Sequence, residues 1–174
     1  AGFIGNGHFM RDLLFGVNKA QELSSTHKFA ASVYAVNRVT QEYLVRPMGI
    51  FQLIDYVGLD VCQKILKVMY DRLGEKNLQS EIINDMITKG IKGGQHADGS
   101  QKNGFLKYDK NKVVGVIDDK TCDYIDIEKI AEETEDVLGA KPQALLQWKS
   151  TLKAKNQDEM LKEHFENLAK VNSP

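Results

Sequence analysis

Arg46-Pro47-Met48-Gly49-Ile50-Phe51-Gln52-Leu53-Ile54-Asp55-Tyr56-Val57-Gly58-Leu59-Asp60 is the stretch whose reading decides the fold. Ile50, Phe51, Leu53, Ile54 and Val57 leave it almost no polar face, so Met48 to Val57 reads as a helix covered on more than one side. Pro47 suits a first helical position, where a missing amide hydrogen costs nothing, and it pushes Arg46 out of the helical region. Gly58 reads as a left-handed stop and Asp60 as the cap of a following helix, Val61 to Leu73, which Gly74 closes. Asp55 is a charge inside the apolar run. A buried carboxylate needs partners, and here they come either from a nearby helix end or from a basic group across an interface.

Working outward, residues 8 to 23 form a first helix by the recurrence of Phe9, Leu13, Leu14 and Val17. Ser24 to Thr26 break it, and a second helix runs from about His27 to Leu44 through Phe29, Val33, Val36, Val39 and Tyr43. Ser80 to Lys89 is a further short helix. Gly90 to Gly104 holds five glycines and almost no large apolar residue, which describes a loop. Beyond it Phe105 to Tyr108 and Val113 to Ile117 read as two strands joined by a turn. Ile127 to Leu138, Pro142 to Lys153 and Asp158 to Lys170 are helical by pattern, with Gly139 as a stop. The alternation of strand and helix that a parallel nucleotide-binding sheet requires is missing.

Hydrophobic residues make up 42% of the 174, enough for a real core. Lys plus Arg number 23 against 24 for Asp plus Glu, so bulk charge draws the chain neither to nucleic acid nor to an anionic membrane. Cys62 and Cys122 lie far apart without Cys-x-x-Cys or Cys/His spacing, which argues against a disulfide framework and a zinc site and fits a cytoplasmic setting. No basic leader or long apolar run opens the chain. Its abrupt Ala1-Gly2-Phe3-Ile4 start creates the expectation of a longer protein trimmed at a domain boundary.

Gly2-Phe3-Ile4-Gly5-Asn6-Gly7 imitates the start of a dinucleotide-binding turn. The third glycine position is Met10, however, and no second strand with an acidic end follows, so a nucleotide loop is the minor reading.

Read as the start of a helix, the same segment resembles the G-F-I-x-N-R with which the C-terminal domain of 3-hydroxyacyl-CoA dehydrogenases begins. Pro47 to Asp60 resembles that family's P-M-G-P-F-x-L-x-D-x-x-G-L-D, and Gly99 to Tyr108 is similar to its G-x-K-x-G-x-G-F-Y-x-Y with one glycine missing. The three matches fall in the family's order over residues 2 to 108. The resemblance implies a mostly α fold, a multi-helical bundle of the 6-phosphogluconate dehydrogenase C-terminal-like type with one small β-hairpin. It divides the chain into a family domain, 1–110, and a hairpin strand with a helical extension, 111–174. It further implies a domain that closes over an acyl-CoA, forms a homodimer, and follows an N-terminal Rossmann domain carrying NAD and the catalytic His and Glu. This portion alone would be inactive and would hold neither cofactor nor metal. Departures from the family lie at Gly7, where Arg is usual, at Ile50, where the second proline is usual, and in the polar Val36 to Val45; they point to an altered acyl preference.

Of this chain's residues, the resemblance assigns Asn6 a supporting catalytic role, donating its amide to a substrate oxygen or orienting the histidine; a helix cap is its structural alternative. Arg46 is a candidate substrate contact or a solvated charge at a helix end. Lys102, with Lys92, Lys107 and Lys110, either attracts the phosphates of coenzyme A or lines a solvated loop. Trp148, spaced with Leu145 and Leu152, is expected to be buried. His8 and His27 read as surface or satisfied histidines. The apolar circumference of Met48 to Val57, with Phe29, Val33 and Val36, is the expected two-fold contact. The competing class is a free-standing helical interaction module without catalysis, to be distinguished by the upstream reading frame.

Overall fold

A computed structural model describes residues 4–75, 77–140 and 145–171. Helix α1 (Ile4–Leu23) leads to α2 (Phe29–Arg38), which continues as a π-helical turn, Val39–Tyr43, before α3 (Ile50–Val57), α4 (Leu59–Leu73) and α5 (Glu81–Thr88). Strands β1 (Leu106–Asp109), β2 (Lys112–Ile117) and β3 (Tyr124–Asp126) form an antiparallel sheet in that order. A 3-10 turn, Ile127–Ile130, then opens α6 (Ala131–Leu138), followed by α7 (Trp148–Thr151) and α8 (Gln157–Val171). The fold is mostly helical with a small sheet, as the spacing of apolar residues requires. The expected hairpin is present with Lys110 (φ 46°) and Asn111 (φ 64°) at its two-residue turn. A third strand joins it after a turn in which Asp118 accepts from the amides of Lys120 and Thr121.

The core runs through α1 (Met10, Leu13, Leu14, Val17), α2 (Phe29, Val33), α3 (Ile50, Phe51, Ile54), α4 (Leu59, Cys62, Leu66) and α5 (Ile83, Met86), and is closed by Phe105, Leu106, Val116, Ile117 and Ile130. Phe51 and Phe105 meet at a centroid distance of 4.8 Å and a tilt of 60°, within the favoured range for aromatic pairs. Gly16 lets α1 pass close over Ile50, since a Cβ there would lie 3.0 Å from Ile50 Cγ2.

Several expected boundaries shift for local reasons. Helix α1 already includes Ile4, so Asn6 lies within its first turn and is not its cap. Helix α3 starts at Ile50 with Gly49 as its cap, and Pro47 and Met48 belong to the bend before it. Gly58 (φ 97°, ψ 132°) ends α3 and also opens α4, which leaves Asp60 in the first turn of α4 instead of the capping position. Gly74 closes α4 in the left-handed region as expected. The second helix widens its hydrogen-bond span rather than ending cleanly: Leu44 N–H donates to Val39 O and Arg46 N–H to Gln41 O, five residues back. Pro142 lies outside the described residues, and α7 is a single turn, so Trp148 stays 38% exposed while Thr151 is buried.

Candidate functional site

Helix α3 is held at both ends by side chains from other elements. At its start, Asn37 Oδ1 accepts from the amides of Phe51 (3.1 Å) and Gln52 (3.1 Å), and Thr40 Oγ1 accepts from Ile50 N–H (2.8 Å). Gln52 Oε1 accepts from Gly49 N–H (3.0 Å) and from Asn37 Nδ2 (3.3 Å). Thr40 is fixed in turn by donating to Val36 O or Asn37 O at the π-helical turn. The orphan amides that make a helix start an anion site are therefore satisfied within the fold. Any side chain at position 49 would collide with Asn37, which explains the glycine.

At the other end sits Asp55, fully buried. Its Oδ1 accepts from Phe105 N–H (2.7 Å), and its Oδ2 accepts from Leu106 N–H (2.9 Å) and Tyr108 Oη–H (3.0 Å). Burial pushes its pKa up to about 7 against the lowering effect of these three donors. The same burial, with Asp55 beside it, pushes the Tyr108 hydroxyl well above the usual tyrosine range. The Asp55 carbonyl accepts from Gly94 N–H (2.7 Å) and Gln101 Nε2 (2.9 Å), and Tyr124 Oη donates to Gly104 O (2.8 Å). Gly104 leaves room for the carboxylate, and Gly93 (φ 61°) passes so close that a Cβ would sit 2.8 Å from Asp55 O. The glycine loop is thus pinned to α3 from within. Lys92, Lys102, Lys107 and Lys110 point their charges outward, without an ion pair among the described residues.

Residues 2–107 match the family described as 3-hydroxyacyl-CoA dehydrogenase, C-terminal domain. The chain belongs to this family. It is also 29% identical over 108 residues to a probable 3-hydroxybutyryl-CoA dehydrogenase of Deinococcus radiodurans, an alignment covering 62% of this chain and 35% of that protein. The chain therefore spans about a third of the length of the curated relative it matches. In this dehydrogenase C-terminal domain, the motif positions Gly49, Phe51, Asp55, Gly58 and Leu59 form the α3 framework, and Gly104, Phe105 and Tyr108 close upon it.

The residues assigned to substrate do not converge within the domain. Asn6 is exposed in the first turn of α1. Arg46 Nη1 pairs with Asp12 Oδ2 at 2.7 Å, beside a cleft of about 550 Å³ between Gln41–Pro47 and Leu145–Lys149. Lys102 is exposed on the glycine loop at the far end of α3, an eight-residue helix, roughly 12 Å away along its axis. Within the chain, the Asp55 carboxylate is answered by the amides of Phe105 and Leu106 and the hydroxyl of Tyr108. Of the anticipated two-fold patch, Phe29, Val33, Phe51 and Ile54 are buried inside the fold, whereas Val36, Met48, Leu53 and Val57 are half-buried and Tyr56 on the same helix is 47% exposed. Among the described residues no group of three His, Cys, Asp or Glu could hold a metal, and no helix is long and apolar enough to cross a membrane. Cys62 is buried, and desolvation pushes its thiol up to about 12.

Asn37, Thr40 and Gln101 organise this framework without having been singled out in the sequence. For Asn37 a signal existed, since it continues the Phe29–Val33 spacing onto the apolar face and must find partners there.

Proposed function

We propose that this chain is the substrate-covering, dimer-forming C-terminal domain of an NAD-dependent 3-hydroxyacyl-CoA dehydrogenase of fatty-acid oxidation or related acyl-CoA metabolism, working in the cytoplasm and inactive without an N-terminal Rossmann domain. The observation that carries the reading is the ordered match to the dehydrogenase C-terminal domain, whose motif residues assemble into one buried framework around Asp55. The described residues do not fit a dinucleotide: their sheet is small and antiparallel, with no parallel strand leading into a glycine turn. NAD therefore belongs to the other domain of the same polypeptide, and no step of cofactor chemistry is assigned to residues of this chain.

The share of the reaction that falls to this chain is orientation and charge. Asn6, exposed at the start of α1, presents a neutral amide that donates to the substrate oxygen without changing charge during turnover. Lys102 and the neighbouring lysines of the glycine loop face solvent and attract the phosphates of coenzyme A, while Arg46 makes a second contact from the opposite end of α3. The test is NADH oxidation with acetoacetyl-CoA by the polypeptide that includes the upstream reading frame. Activity is expected there, and Asn6→Ala should lower kcat by about 10²-fold with a smaller change in KM. A longer polypeptide that folds and shows no such activity would remove the enzyme reading.

A further inference from the structure

The arm closes a cleft of about 550 Å³ against the matched segment, with Gln41, Glu42, Arg46 and Pro47 on one wall and residues 145–149 on the other. Only the first wall lies within residues 2–107, so the cleft needs the part of the chain that the family match does not reach. Its volume falls in the roughly 300–1,000 Å³ of small-molecule sites. The first wall also departs twice from regular backbone. It contains the π-helical turn Val39–Tyr43, a feature concentrated at functional sites, and Val45 at φ 51°, a left-handed conformation that a β-branched residue rarely adopts. Val45 is buried, which holds it there, and it sets the course of the chain immediately before Arg46.

The side chains of the cleft belong together chemically. Trp148, whose spacing predicts burial, is instead accessible, so part of its indole is left for a ligand. Lys149 beside it makes no ion pair among the described residues. Arg46 gives Nη1 to Asp12, while its Nε and Nη2 donate to none of the described residues. Glu42 is answered by Arg38 through two bonds of 2.9 and 3.0 Å, so the one carboxylate of the lining is already neutralised. No hydrogen bond among the described residues uses Gln41 Oε1 or the side-chain amide of Gln147. An aromatic side chain stacks on the face of a base, guanidinium and ammonium groups bind phosphate oxygens, and a carboxamide offers the donor and acceptor that match the edge of adenine.

We propose that this cleft binds an adenine nucleotide, with the ring on Trp148, the ring edge on Gln147 and the phosphate between Arg46 and Lys149. It is distinct from the dinucleotide fold assigned to the other domain, because it takes one ring and one phosphate on a wall that the dehydrogenase match does not include. The same chemistry occurs in a free adenosine phosphate and in the phosphorylated adenosine end of coenzyme A. In the second case the inference rests on the acyl-CoA reading above and gives Arg46 a defined share of it. In the first it stands without that reading.

Trp148 is the only tryptophan of the 174 residues, so its emission reports on this cleft. The full chain is titrated with AMP, ADP and coenzyme A, and with adenosine and ribose 5-phosphate as the two halves of the ligand. AMP and ADP should quench Trp148 to saturation, and each half should bind at least about tenfold more weakly than AMP, because stacking and phosphate contacts act together. Coenzyme A binding tighter than ADP assigns the cleft to the coenzyme, and ADP binding as tightly or more so assigns it to a free nucleotide. Lys149→Glu and Arg46→Gln, with folding checked by circular dichroism, should each weaken AMP binding by about tenfold. Absence of saturable quenching at about 5 mM AMP overturns the proposal. So does binding of adenosine or ribose 5-phosphate as tight as that of AMP, or an affinity that neither substitution changes. Every arm uses this chain alone, so its result is separate from the activity test of the longer polypeptide.

Discussion

The part of the chain up to Ile130 and the arm beyond it are fastened in different ways. Through Ile130 the buried residues are overwhelmingly apolar and form one cluster from Met10 onward. In the arm, the buried residues among those described are Thr134, Thr151 and His164. The arm is tied on by polar contacts: Glu133 accepts from Lys28 N–H at the start of α2, Glu135 pairs with Arg38, and His164 Nε2 bonds Tyr43 O at 2.7 Å. Along this seam the buried hydroxyls of Tyr43 and Thr151 find no hydrogen-bond partner among the described residues. Apolar burial is cooperative and hard to undo in part, whereas a few polar tethers open locally at lower free energy. The family match ends at residue 107, so it lies wholly within the first region, to which Val116, Ile117 and Ile130 add core residues beyond the match.

The most severe way to break the first region is at Asp55. Asp55→Ala strands Phe105 N–H, Leu106 N–H and Tyr108 Oη–H in the core, each unsatisfied group costing ~1–3 kcal/mol. The expected loss is about 3–5 kcal/mol in urea unfolding, with the arm melting along with the core. A loss below ~1 kcal/mol would show that the glycine loop is held by something else.

A smaller effect comes from pH. The folded Asp55 carboxyl is raised to about 7 from an ordinary 3.8, so between these values the folded chain holds one proton more than the unfolded chain. Stability therefore falls as pH rises from about 4 to about 7, by something on the order of 1–3 kcal/mol. Asp55→Asn should flatten that slope, and an unchanged slope would assign it to other groups.

The seam is weaker still. His164→Ala leaves Tyr43 O unpaired and should cost about 1–2 kcal/mol, read as faster hydrogen exchange in α8 with the protection of α1 and α3 unaltered. Global loss of protection would mean that the arm and core are one cooperative unit. The mildest change is Glu133→Gln. The Lys28 amide and ammonium hold the Glu133 carboxyl below its ordinary value, so its contribution is present above the usual glutamate pKa and is lost as pH falls. Because the pair is solvent-exposed, the substitution should cost no more than ~1 kcal/mol, fading at high salt.

Local periodicity and glycine stops made most of the helices legible, along with the hairpin and the order of the family segments. Gly74 and Gly139 end helices where they were expected to, and Phe51 and Ile54 are core. The same reasoning misplaced Pro47 and Asp60, because capping depends on which side chain reaches the helix end and not only on which residue precedes it, and Trp148, because its helix is a single turn that leaves it 38% exposed. The candidate site was legible as a set of residues but not as a place. Asn6, Arg46 and Lys102 stand on separate parts of the surface.

What the sequence by itself determined is local: helix after helix, a buried carboxylate that must be answered, glycines where the chain turns. Only the tertiary structure decided who answers. Asp55 finds its donors some fifty residues away at the entry to β1, and α3 finds its cap in Asn37 on another helix. It also decided that Ile50, Phe51 and Ile54 of α3 would be enclosed while Phe15 was left outside. The physical reason is that spacing along a chain specifies which face of an element is apolar, but pairing between faces is settled by packing among all of them at once. A surface becomes an interface only when nothing within the chain has covered it.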